Sequence, residues 1–388
     1  MIKNDTHQVI TALRCGITGE KIPFEEPDAE LWLRFAKHHQ IAGLLLYSLM
    51  EAGFSSDAEI CKKLFSAALA ELVVHERQRA AFSEVFAAFE GQGISYMPLK
   101  GSLMKELYPK PELRTMSDAD VLIKTSDRNK IDEILLGLGY EKAYESDHEI
   151  VWKNKNITLE LHKHLIPSYN KQYYKYFINV WERSEKVTEN RRKLRDDDEF
   201  LFTFTHFAKH YRDGGIGMKH FMDLWLLLEK RPLDLDYIHT ELEKIGLAVF
   251  FKNVHNALRL CFGNGGAEDE ASALIIDTVL DSGAYGKKED RKNASAVRNA
   301  GGHKVGSVRG KISVLFSLAF PRRSAIWDKY PFLKKSAVLL PVAWGLRAFT
   351  AILHPAKIFR GVKTMKKSGG KEAAGMENRL KAVGLDFH

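Results

Sequence analysis

Cysteine is scarce in this 388-residue sequence, which contains only Cys15, Cys61 and Cys261. The three are widely separated and form no Cys-x-x-Cys pair, so their spacing predicts neither a disulfide framework nor a structural zinc site. Such usage is typical of proteins in a reducing cytoplasm. The first 20 residues also lack the continuous apolar run of a signal peptide, and we therefore expect a cytoplasmic protein that is not exported.

Glycine and proline are few as well, with 28 and 11 residues, which excludes collagen-like and low-complexity architectures. The apolar share of 45% and the charged share of 28% are ordinary for a globular protein. Because single hydrophobic cores stop growing at about 250 to 300 residues, the length predicts two or three structural units.

An excess of positive charge is missing from most of the chain. The formal net charge is +8, but residues 355–388 alone contain eight Lys or Arg against three Asp or Glu. The rest of the sequence is therefore nearly balanced, and no nucleic-acid-binding surface is predicted across the fold.

No uninterrupted hydrophobic run is long enough to span a membrane. Residues 336–353 are apolar, but Pro341 and Arg347 interrupt them, and a span needs about 20 residues. Two alternatives remain for this segment. It is either a packed helix followed by a solvated tail, or an interfacial helix whose basic continuation contacts the inner, anionic face of a membrane peripherally.

Hydrophobic periodicity divides the chain into five regions. Apolar residues recur at helical spacing in 29–53, 57–90 and 196–260, whereas short alternating patterns between 94 and 165 indicate strands. The regions are an N-terminal helical region (1–92), an α/β core (93–190), a helical region completing a cleft (191–262), a loop-rich connection (263–310) and a C-terminal helical segment with a basic tail (311–388). The predicted fold class is α+β, with a small mixed sheet flanked by helical regions.

Two aspartates lie on one face of a predicted strand in the α/β core. Residues 116–123 read as a strand, and because strand side chains alternate, Asp118 and Asp120 point the same way. A later hairpin, with Asn154-Lys155-Asn156 at its turn, places Glu160 on a polar strand face. The pattern thus gathers carboxylates at the edge of a buried sheet.

Neighbouring carboxylates repel each other unless a cation lies between them. Magnesium suits this position because it prefers oxygen ligands and completes its shell with water and phosphate oxygens. Asp118 and Asp120, with Glu160 as a third carboxylate, would form a site for two such ions. Two-ion sites support in-line phosphoryl or nucleotidyl transfer.

A Gly-Ser turn precedes the aspartates and could hold phosphate. Gly101 allows close backbone approach, and a short helix from Ser102 directs free amide groups toward an anion. Lys100 and Arg114 add positive charge nearby. For Lys100 a solvated position is the alternative, and for Arg114 an ion pair with Glu112 or an aspartate.

The order of strand, Gly-Ser turn, short helix and Asp-x-Asp strand resembles the DNA polymerase beta-like nucleotidyltransferase superfamily. More closely, LKGSLMKELYPKPELRTMSDADVLI, ITLELHKHL, HFAKHYRDGGIGMKHFMDLWLLL and LFSLAFPRRSAIWDKYPFLKK resemble an uncharacterised bacterial nucleotidyltransferase family. The resemblance implies that Gly101 and Ser102 contact nucleotide phosphates and that Asp118 and Asp120 bind metal. Glu160 would complete the metal site or act as a base.

The resemblance implies an enzyme that transfers a nucleoside monophosphate from a triphosphate to a hydroxyl or phosphate of an unknown acceptor, releasing pyrophosphate. Mg²⁺ would be its cofactor, with Mn²⁺ as a substitute. A catalytically weak nucleotide-binding or scaffold protein in envelope polysaccharide or peptide-modification pathways is the alternative, and sugar transfer from a sugar nucleotide is another. A Glu160 side chain far from both aspartates would favour the scaffold.

Three further polar residues are expected in supporting roles. His162 and His164 are expected at the surface or behind the metal ligands rather than in catalysis. Asp223 lies in an apolar helical segment, and we expect it to brace the site or a neighbouring Arg or His.

Overall fold

The computed structural model describes residues 2–23, 27–168, 170–284 and 286–299 and, beyond these, residues 309, 316, 319–321, 323, 326, 329–353 and 371–385. The chain forms two compact units. One consists of Met1–Ala208 with Ile216–Tyr285, and the other of Lys209–Gly215 with Gly286–His388.

Helices make up the N-terminal part of the first unit. They are α1 (Ile2–Thr18), α2 (Ala29–His39), α3 (Ala42–Glu51) and α4 (Glu59–Gly91). The Asp28 side chain caps α2 by accepting hydrogen bonds from the backbone amides of Glu30 and Leu31, each at 2.9 Å. Gln40, in the left-handed conformation with φ 56°, ends that helix and allows α3 to turn away.

A five-stranded mixed sheet follows α4. Its strands are β1 (Tyr96–Pro98), β2 (Asp118–Ile123), β3 (Glu141–Glu145), β4 (Glu149–Lys153) and β5 (Thr158–His162), in the spatial order β1-β2-β5-β4-β3. The β2 and β5 strands run parallel, and the other neighbours are antiparallel. Between β1 and β3 lie two α-helices, the short α5 (Gly101–Met104) and α6 (Arg128–Gly137).

One face of the sheet is apolar and forms the core of the α/β region. Ala119, Val121 and Leu159 on the strands are fully buried there. They belong to one cluster with residues of α4 and of α6, such as Phe89 and Ile131. Alternation along β2 and β5 therefore leaves the polar side chains on the opposite face.

The remainder of the described chain is mostly helical. In order it contains α7 (Lys171–Phe177), β6 (Glu185–Lys186), β7 (Arg192–Lys193), α8 (Asp196–Arg212), α9 (Met218–Lys230), α10 (Leu235–Lys244), α11 (Ala248–Phe262), α12 (Glu270–Ser282) and α13 (Lys288–Asn299). Phe204, Phe221 and Phe250 are fully buried in the first unit, and the Phe204 ring lies 5.7 Å from that of Phe250. Burial of these rings holds α8, α9 and α11 together.

The second unit has helices at Phe332–Lys335, Leu340–Leu353 and Lys371–Ala382. Ile326, Tyr330, Leu333 and Ala343 form a small buried cluster within it. Among the described residues, no helix combines the length and the apolar character that crossing a membrane requires.

The α+β class and the small mixed sheet are confirmed. The loop-rich reading of 263–310 was wrong in its secondary structure, because α12 and α13 lie there. Its glycines and charges suggested a loop, but Ile275 and Val279, four residues apart, bury one face of α12. Residues 300–308 and most of the basic tail lie outside the described residues. The five-region division stays a prediction.

Candidate active site

Parallel pairing of β2 with β5 assembles the polar face of the sheet. The register sets Asp118 opposite Thr158 and Asp120 opposite Glu160, with His162 opposite Leu122. Ligand atoms of Asp120, Glu160 and His162 all lie within 4.8 Å of one another. The Glu160 carboxylate is therefore next to Asp120, and we call the surface that bears Asp118, Asp120 and Glu160 the acidic face.

Asp120 is the most enclosed carboxylate of the acidic face. Its Oδ1 atom accepts hydrogen bonds from Lys100 Nζ at 2.8 Å and from His162 Nε2 at 2.6 Å. Burial alone would raise the pKa of Asp120, but the Lys100 ammonium and the His162 hydrogen bond outweigh it and hold that pKa below its ordinary value. The paired aspartates thus have a cation beside them within the protein.

Lys100 reaches Asp120 from an unusual backbone conformation. Its φ of 48° and ψ of −123° are rarely adopted by a residue with a Cβ. The Lys100 carbonyl oxygen accepts hydrogen bonds from Leu103 N at 2.9 Å and Met104 N at 3.0 Å, which begins α5. Strain of this kind costs roughly 1 to 3 kcal/mol and persists where the surroundings enforce it.

The other two carboxylates of the acidic face resist ionisation. Burial and the charge of Asp120 raise the pKa of Asp118, which Lys100 and Lys219 only partly offset. Burial and the neighbouring aspartates raise the pKa of Glu160 to about 8. A metal cation bound beside Glu160 would displace the proton that this raised pKa retains.

The donor chemistry of the acidic face fits the predicted metal. Asp118, Asp120 and Glu160 offer carboxylate oxygens, which Mg²⁺ and Mn²⁺ prefer. Asp118 does not share the compact set of ligand atoms that Asp120 forms with Glu160. It lies two residues earlier on the same face of β2, beside Thr158 of β5.

Arg114 is buried under the Gly-Ser turn. Its guanidinium donates to Asp223 through Nε at 3.1 Å and Nη2 at 2.6 Å, and Tyr108 Oη donates to the same carboxylate at 3.0 Å. A Cβ on Gly101 would lie only 3.3 Å from Arg114 Nη1, so glycine lets the turn rest on the guanidinium. Asp223 braces an arginine, as predicted, and contact of Arg114 with nucleotide stays a prediction.

Ser102 and Lys100 have internal partners in this structure. Ser102 Oγ donates to the Leu99 carbonyl oxygen at 2.8 Å, and the Lys100 ammonium donates to Asp120. Lys100 is therefore not in the solvated position, since its side chain is only 17% exposed. Phosphate binding by Lys100, Gly101 and Ser102 remains a prediction.

Of the two positions expected for His162, the surface or behind the metal ligands, the structure has the second, whereas His148 and Glu149 were overlooked. His162 is buried and touches Asp120 through Nε2, while its Nδ1 lies 3.2 Å from His148 Nε2. Glu149 is opposite His162 in the β4–β5 register. The signal was the alternation of β5, which points His162 to the same face as Glu160.

A cleft of about 490 Å³ opens beside the start of β2 and β5. One wall is the middle of α4, including Val74 and Gln78, and another is the turn before β5. Ser117 and Thr158, which adjoin Asp118 in sequence and in strand register, line its inner end. The cleft therefore reaches the neighbourhood of the acidic face.

The fold and the acidic face together are typical of the nucleotidyltransferases. In this class of enzyme, carboxylates on strands bind the metal ions that accompany a nucleotide. Within that class, residues 25–263 match the family described as "Uncharacterised nucleotidyltransferase". Because the match covers more than half of the chain, the protein belongs to this family and is a nucleotidyltransferase by membership.

Two solved structures show limited similarity to the chain. The solution structure of the antibiotic-resistance factor ANT(2'')-Ia is 13% identical, with a TM-score of 0.34, over 47% of this chain and 95% of that chain. The crystal structure of ANT(2'')-Ia in complex with adenylyl-2''-tobramycin is 12% identical, with a TM-score of 0.34, over 43% and 96%. No protein of curated function matches significantly.

Proposed function

We propose that the protein transfers a nucleoside monophosphate from a nucleoside triphosphate to a hydroxyl or phosphate of an acceptor. An acceptor oxygen bonds to the α-phosphorus, the bond from that phosphorus to the bridging oxygen breaks, and pyrophosphate leaves. The single observation that carries this proposal is the strand register that sets Asp120 beside Glu160, on the face that also bears Asp118. Three carboxylates there favour catalysis over the scaffold alternative.

Asp118, Asp120 and Glu160 would hold Mg²⁺, or Mn²⁺ in its place. When bound, the metal would neutralise phosphate charge and favour ionisation of an attacking hydroxyl. The protein's own contribution is to hold the carboxylates on two hydrogen-bonded strands and to orient Asp120 through His162. Glu160, once its carboxylate is ionised, would also accept the acceptor's proton.

Nucleotide phosphates would bind at the turn before α5. Gly101 has no side chain to block them, and Lys100 supplies positive charge beside Asp120. Arg114 adds positive charge beneath the turn, and its hydrogen bonds to Asp223 fix the position of the guanidinium. These contacts with phosphate are part of the proposal.

The acceptor would occupy the cleft between α4 and the turn before β5. Gly101 and Ser102 do not line this cleft, whereas Ser117 and Thr158 beside Asp118 do. A group held there would lie near Asp118, in a space that the Gly-Ser turn does not line. Separate positions for two substrates are what an in-line transfer requires.

Isothermal titration of ATP, GTP, CTP and UTP in the presence of Mg²⁺ tests the nucleotide site. We expect one of them to bind, and the double variant Asp118→Ala with Asp120→Ala to lose that binding. Asp127→Ala, a half-buried aspartate beyond the end of β2, is the control. Equal binding by the double variant and the wild type would reject the site.

Pyrophosphate detection separates the proposed reaction from its rivals. Transfer from a triphosphate releases pyrophosphate, whereas sugar transfer from a sugar nucleotide does not. A scaffold would bind nucleotide without turnover in every acceptor mixture tested. Release that requires Glu160 would favour the nucleotidyltransferase.

We also propose that the protein is cytoplasmic and touches the membrane peripherally through its C-terminal region. In the helix Leu340–Leu353, Val342, Leu346 and Phe349 recur at helical spacing and are 53%, 45% and 62% exposed. Six Lys or Arg follow in residues 357–371. An exposed apolar stripe followed by basic charge favours an anionic lipid surface.

A further inference from the structure

His148 and Glu149, two side chains that the proposed transfer does not use, converge with His162 beside the acidic face. His148 Nε2 lies 3.2 Å from His162 Nδ1 and 3.8 Å from Glu149 Oε2. The third side of this triangle, from His162 Nδ1 to Glu149 Oε2, is 4.0 Å. The three donor atoms lie within 4.8 Å of one another. We call them the His-Glu-His triangle.

Strand pairing holds the triangle in place. Glu149 and His162 are direct partners across β4 and β5, so their side chains leave the same face of the sheet. The His148 backbone is fixed on both sides, since its carbonyl oxygen accepts from Lys163 N at 2.8 Å and its amide donates to Ser146 Oγ at 3.2 Å. Both imidazoles are buried, which limits their rotation.

The size and chemistry of the triangle fit a transition metal. With ligand bonds of about 2.0 to 2.1 Å, donor atoms around tetrahedral zinc lie roughly 3.3 Å apart. The His148–His162 separation already has this value, and Glu149, whose side chain is 26% exposed, can close the rest by a small rotation. Two imidazoles and one carboxylate form a donor set that binds zinc with a fourth position open.

His162 connects the triangle to the acidic face through its second nitrogen. The 2.6 Å between His162 Nε2 and Asp120 Oδ1 is a hydrogen-bond length and is too short for two ligands of one ion. Metal on Nδ1 would leave the proton on Nε2, where it donates to Asp120. A histidine that binds metal on one side and a carboxylate on the other is a common arrangement around zinc.

We propose that His148, Glu149 and His162 form a transition-metal site, of the kind that takes Zn²⁺, separate from the magnesium ligands. In this site His162 is a positioning residue, because the metal holds its proton on Nε2 and thereby orients the Asp120 carboxylate. The proposal goes beyond nucleotidyl transfer, and binding of the metal does not depend on that function.

Titration of the chelator-treated full chain with Co²⁺, followed by visible absorption in excess Mg²⁺, tests the site. We expect a saturable tetrahedral spectrum at one ion per chain, displaced by Zn²⁺. His148→Gln should weaken it by more than about tenfold. His164→Gln is the matched control, since its ring packs edge-on against Tyr174 and belongs to no such group among the described residues. No saturable spectrum, or one that His148→Gln leaves unchanged, would overturn the proposal.

A second measurement keeps the test independent of folding. Glutamine at 148 can still hydrogen-bond to His162, and the unfolding midpoint in chelator should therefore match that of the wild type. On ¹⁵N-histidine spectra, Zn²⁺ should fix the His162 proton on Nε2 in the wild type but not in His148→Gln. Zinc-insensitive His162 resonances would reject the link to Asp120, whether or not the enzyme transfers nucleotide.

Discussion

At Asp120, individual side chains offset the repulsion between two carboxylates on one buried strand face. Lys100 supplies a full positive charge at 2.8 Å, and His162 donates a hydrogen bond at 2.6 Å. Glu160 meets the same electrostatic problem differently, by retaining its proton to a pKa of about 8. The acidic face is therefore stable without metal but holds a proton that a metal would displace.

The raised pKa of Glu160 predicts a pH dependence of stability without metal. The folded chain keeps a proton between pH 4.5 and about 8 that the unfolded chain releases, so stability should fall as pH rises through this window. The slope should reach at most about 1.4 kcal/mol per pH unit. Urea denaturation of wild type and Glu160→Gln across the window measures it.

Glu160→Gln carries no such proton. The difference in the free energy of unfolding between the two proteins should therefore change with pH only between pH 4.5 and about 8. Saturating Mg²⁺ should flatten the wild-type slope, because the metal replaces the proton. Parallel pH profiles for both proteins in chelator would contradict the assignment of the raised pKa to Glu160.

The buried Arg114–Asp223 pair predicts a large loss of stability when it is broken. Asp223→Asn should lower the free energy of unfolding by about 3 to 5 kcal/mol, because a buried guanidinium loses its counter-charge. Chemical denaturation measures this. Glu189→Gln, in an exposed pair with Lys186, should change little. A double change of Arg114→Met with Asp223→Leu should recover much of the loss.

At the scale of elements, the turn between β1 and α5 combines backbone strain with charge. Lys100→Gly and Lys100→Ala both remove the ammonium, but only glycine accepts φ 48° and ψ −123° without strain. We expect the glycine variant to be more stable than the alanine variant by about 1 kcal/mol in thermal or urea unfolding. Equal stabilities would mean that the turn relaxes when Lys100 is lost.

The exposed face of α4 supplies a test of the proposed acceptor cleft. Val74→Trp fills the cleft, so with an acceptor that supports pyrophosphate release the acceptor KM should rise about tenfold or more, equivalent to 1.4 kcal/mol. The nucleotide KM should stay unchanged. Val73→Trp, equally exposed but outside the cleft lining, is the control. A rise in both KM values would indicate that the cleft binds the nucleotide instead of the acceptor.

Local patterns predicted the elements with strong periodicity and failed where long-range pairing decides. Alternation gave β2 and the orientation of Asp118 and Asp120, because it depends only on neighbouring residues. The pairing of Asp120 with Glu160 could not be read, since register between parallel strands is set by the whole sheet. The β3 strand was also not predicted, because its exposed residues show no alternation of apolar and polar side chains.

Contacts between distant residues were equally hidden from sequence. The spacing of Lys100 and Asp120 gave no sign that they form an ion pair, because the positive φ of Lys100 was not predictable. Similarly, His148 and His162 meet only because β4 and β5 form a hairpin in one register. Identity of the carboxylates was predictable, whereas their partners were not.

At the scale of the whole molecule, the C-terminal region predicts reversible binding to anionic lipid. The protein should sediment with vesicles containing phosphatidylglycerol but not with neutral phosphatidylcholine, and salt should weaken the binding. Leu346→Glu should reduce it, because that residue lies on the exposed apolar stripe. Leu136→Glu, an exposed leucine on α6, is the control. Unchanged binding by Leu346→Glu would contradict the interfacial helix.

The parallel β2–β5 pair also has a consequence for how the enzyme becomes active after synthesis. β2 can pair with β5 only after α6, β3 and β4 have been synthesised. The whole chain segment from β2 to β5 must then fold back so that the two strands meet. Such non-local pairing is slow relative to helix formation. The carboxylates should therefore come together late in folding, and pulse-labelled hydrogen exchange should show amides of α4 protected before those of β5. A nascent chain that ends before residue 158 would have its aspartates but no functional site.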